Sequence, residues 1–78
     1  MPTVLRTGPY RFFFYSADRN EPAHVHVERD QASAKFWLEP PRLESSVGFS
    51  RVEIGRIQQI VEENVVLLVR SWHEYFGN

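Results

Sequence analysis

The C-terminal third of this chain carries one amphipathic pattern, and that pattern constrains the fold more than any other feature. Apolar residues recur at every third or fourth position, namely Ile54, Ile57, Val61, Val65, Leu68, Trp72 and Phe76. This spacing places them along one stripe of an α-helix. The pattern therefore predicts a long helix over residues 50–76 whose stripe is buried against another layer.

Local signals mark both ends of this predicted helix. Ser50 and Glu53 have capping-box spacing, in which the Ser hydroxyl accepts from the N3 amide and the Glu reaches back to the cap. Gly77 suits the left-handed residue that follows a helix. The unbroken phase of the stripe favours one continuous or mildly kinked helix. Asn64, which can cap a second helix, is the expected position of any break.

The region before the helix alternates apolar and polar residues, as strands do. Strands are predicted at residues 10–16, 24–29 and 33–39, with a short edge strand at 42–46. A turn at Asp30-Gln31 pairs Val25 with Phe36 and Val27 with Ala34, so that one face is apolar. The predicted fold is α+β: a three- to four-stranded antiparallel β-meander packed against the helix. We expect one domain over residues 1–78, with a lead-in at 1–9, the meander at 10–46 and the helix at 50–76.

Composition argues against a general nucleic-acid-binding protein and against a membrane-spanning one. The chain has 78 residues, a formal net charge of −1 and no cysteine. A near-neutral chain has no general attraction for nucleic acid, so RNA remains a possible but unfavoured ligand. No apolar run approaches the ~20 residues of a membrane span. Without a signal peptide or disulfide framework, a cytoplasmic location is expected and a membrane partner is not.

His24 and His26 project from the same face of the second predicted strand. Their Cβ atoms are ~6.5–7 Å apart along a strand, so both imidazoles can reach one metal ion or one phosphate. Glu28 continues the row, and two His with a carboxylate suit zinc or another divalent metal. The alternative, which the frequency of this spacing favours, is a solvated or aromatic-packed face without a cofactor.

The same face also collects large side chains and one cation: Phe13, Tyr15, Trp37 and Lys35. Such a platform can meet a protein partner or stack nucleotide bases. It also permits a small metal-dependent or His-based nuclease, with His24 and His26 as acid and base and Lys35 stabilising phosphate charge. Of these hypotheses, a protein-interaction module is favoured over the enzyme.

Residues 65–69 are apolar on every side of the predicted helix, which indicates burial from more than one direction. The centre of a crowded core explains this pattern, and so does a second copy of the chain. A homodimer through the C-terminal helix is therefore one expectation. His73, on the same helix, is expected at the surface.

Several segments are distinctive in combination: residues 21–27, 34–38 and 48–50, followed by Glu53, Ile57, Trp72, Tyr75 and Phe76. Together they resemble the bacterial family called domain of unknown function 4160, over residues 10–76. The resemblance implies a prokaryotic, cytoplasmic protein with a small protein partner encoded nearby, as in a toxin–antitoxin-like pair. It implies no established reaction. The family's shared His-x-His transfers to His24 and His26.

Overall fold

Five antiparallel strands and two helices make up the protein in a computed structural model that describes residues 3–77. The strands are β1 (Thr3–Thr7), β2 (Tyr10–Phe13), β3 (His24–Arg29), β4 (Ala32–Leu38) and β5 (Pro41–Val47), and they pair in chain order. A 3₁₀ turn, Ser16–Asn20, connects β2 to β3. The helices are α1 (Arg51–Glu63) and α2 (Val65–Phe76). The predicted α+β class is confirmed.

The strand count is higher than predicted because the expected lead-in forms strand β1. This strand pairs with β2, and its Val4 and Leu5 pack half-buried against the core. In the sequence, Pro2, Gly8 and Pro9 favour an irregular segment at both ends of this stretch. The short apolar pair between these breakers is sufficient for an edge strand because β2 offers an unpaired edge. Met1 and Pro2 lie outside the described residues.

The β3–β4 hairpin has the predicted register. Val25 lies opposite Phe36 and Val27 opposite Ala34, while His26 lies opposite Lys35. Asp30 adopts a φ of 55° at the turn, a left-handed conformation that Asp tolerates better than most residues. Consequently the valines face the helices, and His26 and Lys35 share the opposite face of the sheet, here called the outer face.

The core lies between the sheet and the two helices. Its fully buried members come from both layers: Phe12, Phe14, Val25, Val27, Phe36, Leu38, Ile57, Val61 and Leu68. Trp72 and Phe76 extend it to the end of the sheet, where both contact Phe14. The predicted helical stripe is thus the buried one.

The helix predicted over residues 50–76, continuous or mildly kinked, is present as two helices that divide at Asn64. Asn64 has a φ of −117°, and its side-chain amide donates to the carbonyl of Ile60 at 2.8 Å. A short polar side chain that bonds to the backbone in this way competes with the helical hydrogen-bond ladder. The break falls at the residue that the sequence marks as its expected position.

The helix ends follow their local signals with one exception. Ser50 accepts from the N–H of Glu53 at 3.1 Å, and Gly77 has a φ of 76°. The Glu53 carboxylate does not complete the capping box. It accepts from Arg29 and Tyr10 instead, and so connects α1 to the sheet. Within residues 3–77, no helix has the length and apolar content needed to cross a membrane.

Candidate metal centre

Asp18, His24 and His26 bring their ligand atoms together at one end of the sheet. One atom from each lies within 4.8 Å of the other two. His24 and His26 come from β3, where a two-residue spacing puts both on the same side. Asp18 comes from the 3₁₀ turn that precedes β3. We refer to these three residues as the metal centre.

The 3₁₀ turn fixes the carboxylate of Asp18. The backbone N–H of Asp18 donates to the carbonyl of Tyr15 at 3.0 Å. In return, the backbone N–H of Tyr15 donates to Oδ2 of Asp18 at 3.0 Å. The residue is buried, with only 8% of its surface exposed. A carboxylate held by its own backbone turn is preorganised to meet the two imidazoles.

His24 is fully buried, and its surroundings fix the role of one ring nitrogen. Its ring lies 5.0 Å from that of Trp72 and 5.7 Å from that of Trp37. Nδ1 lies 2.9 Å from the carbonyl oxygen of Pro22. Because a carbonyl only accepts, Nδ1 carries a proton and donates it in a hydrogen bond to Pro22.

Nε2 of the same ring is a buried nitrogen without a hydrogen bond. Nε2 of His24 lies 3.1 Å from Oδ2 of Asp18, close enough for an ion pair, but it makes no hydrogen bond of acceptable geometry. Neither atom completes a hydrogen bond with the other, although both residues are buried. Unsatisfied buried polar atoms are rare and costly. A cation bound beside Nε2 of His24 and Oδ2 of Asp18 gives each atom a partner.

His26 closes the centre on the solvent side. Its Nε2 donates to Oδ2 of Asp18 at 2.9 Å. The ring stacks on Phe13 at 5.6 Å and meets the edge of Tyr15 at 4.6 Å. Its side chain is 18% exposed, whereas that of His24 is 0% exposed. The centre therefore opens toward the outer face past His26.

The electrostatics favour the metal-binding forms of Asp18 and His26. Desolvation by burial lowers the pKa of His26, although Asp18 opposes this shift. Burial acts to raise the pKa of Asp18, but the Tyr15 N–H and the two imidazoles outweigh it, and the pKa is lowered. Metal ligands must be a deprotonated carboxylate and neutral imidazoles. Both shifts favour those forms near neutral pH.

The spacing fits a transition-metal ion. Tetrahedral zinc with bonds of ~2.0–2.2 Å holds its ligand atoms about 3.4 Å apart. The two nitrogens lie 3.1 and 2.9 Å from Oδ2 of Asp18, while the three ligand atoms span up to 4.8 Å, so the side chains must close in around the ion. Metal binding also requires the proton on Nε2 of His26 to leave, by moving to Nδ1 or to solvent.

Two other candidates from the sequence are engaged elsewhere. Glu28, expected to continue the ligand row, lies outside the metal centre, and its carboxylate accepts from Arg11 at 2.7 Å. The strand repeat carries Glu28 away from His24 by four residues, and Arg11 lies opposite it on β2. Lys35 pairs with Glu21 at 2.5 Å and lies 4.8 Å above the ring of Trp37.

The expected aromatic platform is partly present. Phe13 is buried beneath His26, while Tyr15 is 41% exposed and Trp37 is half-buried. Tyr15 therefore offers an aromatic surface beside the metal centre, and Phe13 and Trp37 mainly support the two imidazoles. His73 is exposed on α2, as expected.

Asp18 is the residue that sequence reasoning missed. It stands in a polar segment where Asp18, Asn20 and Pro22 all suggest ordinary turn chemistry. Asp18 reaches the two histidines only because the loop folds back over β3, and no sequence periodicity predicts that path. The available signal was a carboxylate within a few residues of the His pair, on the connection that must return the chain to the start of that strand.

Comparisons with known proteins bear on the family alone. A family model described as domain of unknown function DUF4160 matches residues 10–73, which include the whole metal centre. No curated protein and no solved structure matches the chain significantly. Since the family model covers most of the sequence, the chain belongs to the DUF4160 family.

Proposed function

We propose that this protein binds one divalent transition-metal ion through Asp18, His24 and His26 and uses it to activate water for hydrolysis. One observation carries the proposal: Nε2 of the fully buried His24 lies 3.1 Å from Oδ2 of Asp18 and makes no hydrogen bond. A metal ion satisfies both atoms. A proton on His24 instead places a buried imidazolium there without a well-formed hydrogen bond.

The number of ligands favours catalysis over a purely structural role. Structural zinc sites are closed by four protein ligands, whereas catalytic sites use three and keep a position for water. Within the described chain, three donors meet here, and the side toward the outer face is partly open at His26. A bound metal ion lowers the pKa of its water and supplies a nucleophile near neutral pH.

Metal titration tests this proposal. We expect chelator-treated protein to bind one zinc or cobalt ion per chain in calorimetry, and Asp18→Asn to bind at least about 100-fold more weakly because the anionic ligand is lost. Glu28→Gln is the control, since Glu28 lies outside the centre, and it should bind like the wild type. Equal metal affinity in wild type and Asp18→Asn, or no binding at all, contradicts the proposal.

Hydrolysis is measured separately on the metal-loaded protein. Nitrophenyl esters of acetate and of phosphate report acyl and phosphoryl transfer by the release of nitrophenolate. We expect turnover by the wild type that is lost with chelator and with Asp18→Asn. Metal binding without turnover of either ester confines the function to metal binding and overturns its hydrolytic part.

A second function, protein interaction through self-association, is favoured by the helices. Val66, Leu67 and Arg70 are exposed on α2, with Val66 70% exposed, and Glu63 is exposed at the end of α1, just before the break at Asn64. An antiparallel pairing of two copies places the two apolar residues at the centre and each glutamate opposite an arginine. This charge pattern is complementary to itself, as a two-fold interface requires.

Sedimentation equilibrium tests the pairing. We expect a concentration-dependent dimer that Arg70→Glu weakens and that the double variant with Glu63→Arg restores. Arg51→Glu, an equal charge change away from this stripe, should leave the dimer unchanged. A wild type that stays monomeric at high concentration contradicts it. The bacterial, cytoplasmic setting and the toxin–antitoxin-like partner that the family resemblance implies remain predictions.

A further inference from the structure

A row of functional groups crosses the outer face directly beside the metal centre. His26 on β3 lies opposite Lys35 on β4, and Lys35 lies opposite Ser45 on β5. Directly paired residues of neighbouring strands have Cβ atoms ~4.5–5.5 Å apart. The row forms part of a cleft of about 210 Å³, whose lining also includes Phe13, Tyr15, Ser46 and Glu28, the last with its carboxylate paired to Arg11. A metal ligand, a cation and hydroxyl groups thus line one small cleft.

The cation in this cleft is held by a carboxylate from the loop before β3. Nζ of Lys35 lies 2.5 Å from Oε1 of Glu21. The Lys35 side chain is only 20% exposed, whereas that of Glu21 is 44% exposed. Glu21 therefore approaches Lys35 from the solvent side. The hydrogen bond from Lys35 lowers the pKa of Glu21, so the carboxylate stays anionic at neutral pH.

Because the Glu21 carboxylate already binds the Lys35 ammonium, the anionic group of a ligand can bind at the same position. Exposed ion pairs contribute little net stability, so a ligand displaces Glu21 from Lys35 at small cost. Lys35 does not leave with it, because its ammonium lies 4.8 Å over the Trp37 ring. Arg11, the cation two strands away, is held differently: Glu28 and Thr3 both accept from its guanidinium.

The ligand chemistry follows from the two positive groups. We propose that the ligand of this cleft is a phosphate ester, whose phosphate displaces Glu21 from Lys35 and bridges the ammonium to the metal ion at Asp18, His24 and His26. Separate phosphate oxygens meet the two positive groups, as metal–phosphate sites commonly arrange. Exposed Tyr15 lies beside His26, where it contacts the organic part of the ester. This proposal rests on the metal-binding function.

Calorimetry with phenyl phosphate on the zinc-loaded protein tests the proposal, after each variant has been shown to bind zinc. We expect Lys35→Met to weaken phenyl phosphate binding by about tenfold or more, because a charge-assisted contact is lost. Glu21→Gln should strengthen it, because the competing carboxylate is removed. Arg51→Met, an equal charge change on α1 outside the cleft, should leave it unchanged.

The outcomes separate this inference from the function on which it rests. Zinc binding by the wild type with the same phenyl phosphate affinity in Lys35→Met overturns the phosphate proposal and leaves the metal site standing. Absence of zinc binding by the wild type overturns both. Benzoate serves as the carboxylate arm. If benzoate binds as tightly as phenyl phosphate and depends equally on Lys35, the cleft is a carboxylate site. That result contradicts the proposal.

Discussion

Two polar clusters join separate parts of this small protein, and they differ in how well their atoms are satisfied. In the first, here called the Glu53 network, Glu53 of α1 accepts from Arg29 at 2.8 Å and from Tyr10 at 2.9 Å. Every donor there faces an acceptor. In the metal centre, two imidazole nitrogens approach the same oxygen of Asp18, and Nε2 of His24 makes no hydrogen bond.

This difference separates a structural cluster from a ligand site. Both clusters combine a carboxylate with basic side chains from β3, so residue type does not distinguish them. In the Glu53 network each donor has an acceptor, so the cluster stabilises the fold and leaves no atom for a ligand. In the metal centre the groups converge but compete, an arrangement that is costly unless a cation occupies it.

The largest expected effect comes from removing the unsatisfied nitrogen. We expect His24→Phe to weaken zinc binding by at least about 100-fold, since one ligand is lost. The free energy of unfolding of the metal-free protein should fall by no more than about 1–3 kcal/mol, because an aromatic ring is kept and only the hydrogen bond from Nδ1 to the Pro22 carbonyl is lost. Calorimetry and urea unfolding measure the two quantities. A large loss of metal-free stability would show that the centre is a structural cluster after all.

The next effect is stabilisation by the metal itself. A ligand at 100 times its dissociation constant stabilises the folded state by about 2.7 kcal/mol if it binds that state alone. We expect zinc to raise the thermal midpoint of the wild type and a chelator to reverse the rise. The thermal midpoint of Asp18→Asn should be insensitive to both additions. An equal rise in both proteins would place the bound metal elsewhere.

A smaller effect distinguishes the Glu53 network. Tyr10→Phe removes one buried hydroxyl that donates to Glu53, at a cost of about 1 kcal/mol of unfolding free energy. Zinc affinity should be unchanged, since Tyr10 takes no part in the metal centre. Urea unfolding and calorimetry again provide the comparison with His24→Phe. Reduced zinc affinity in Tyr10→Phe would mean that the two clusters are coupled.

The smallest effect is a dependence on pH. The hydrogen bond from Arg29 lowers the pKa of Glu53 below its ordinary value of 4.5. The unfolded chain therefore binds more protons than the folded one between those two values, and stability falls as the pH drops through that window. Glu53→Gln should flatten this part of the acid dependence in urea unfolding. An unchanged acid profile would show that Glu53 contributes nothing to it.

The sequence predicted the hairpin that carries the two histidines but not the group that completes the metal centre. Val25 and Val27 needed a core to face, and a slip of one residue would have exposed them, so the register followed from the pattern. That register correctly put His26 opposite Lys35. Asp18 carries no comparable constraint, because its role depends on the three-dimensional path of a loop.

The helical region shows the same limit. The stripe from Ile57 to Phe76 identified the buried face, but periodicity alone favoured an unbroken helix across Asn64. The break depends on one side chain that bonds to the carbonyl of Ile60. Likewise, Glu53 has capping-box spacing, but its carboxylate accepts a hydrogen bond from Arg29 of β3 instead of capping the helix. In both cases a specific hydrogen bond overrode a sound local pattern.

Anomalous diffraction at the zinc edge from crystals of the zinc-loaded protein tests the central claim most directly. The account predicts one strong peak about 2.0–2.2 Å from Oδ2 of Asp18 and from Nε2 of both His24 and His26. A peak held by Glu28 or His73 instead, or no peak between the three side chains, would contradict it.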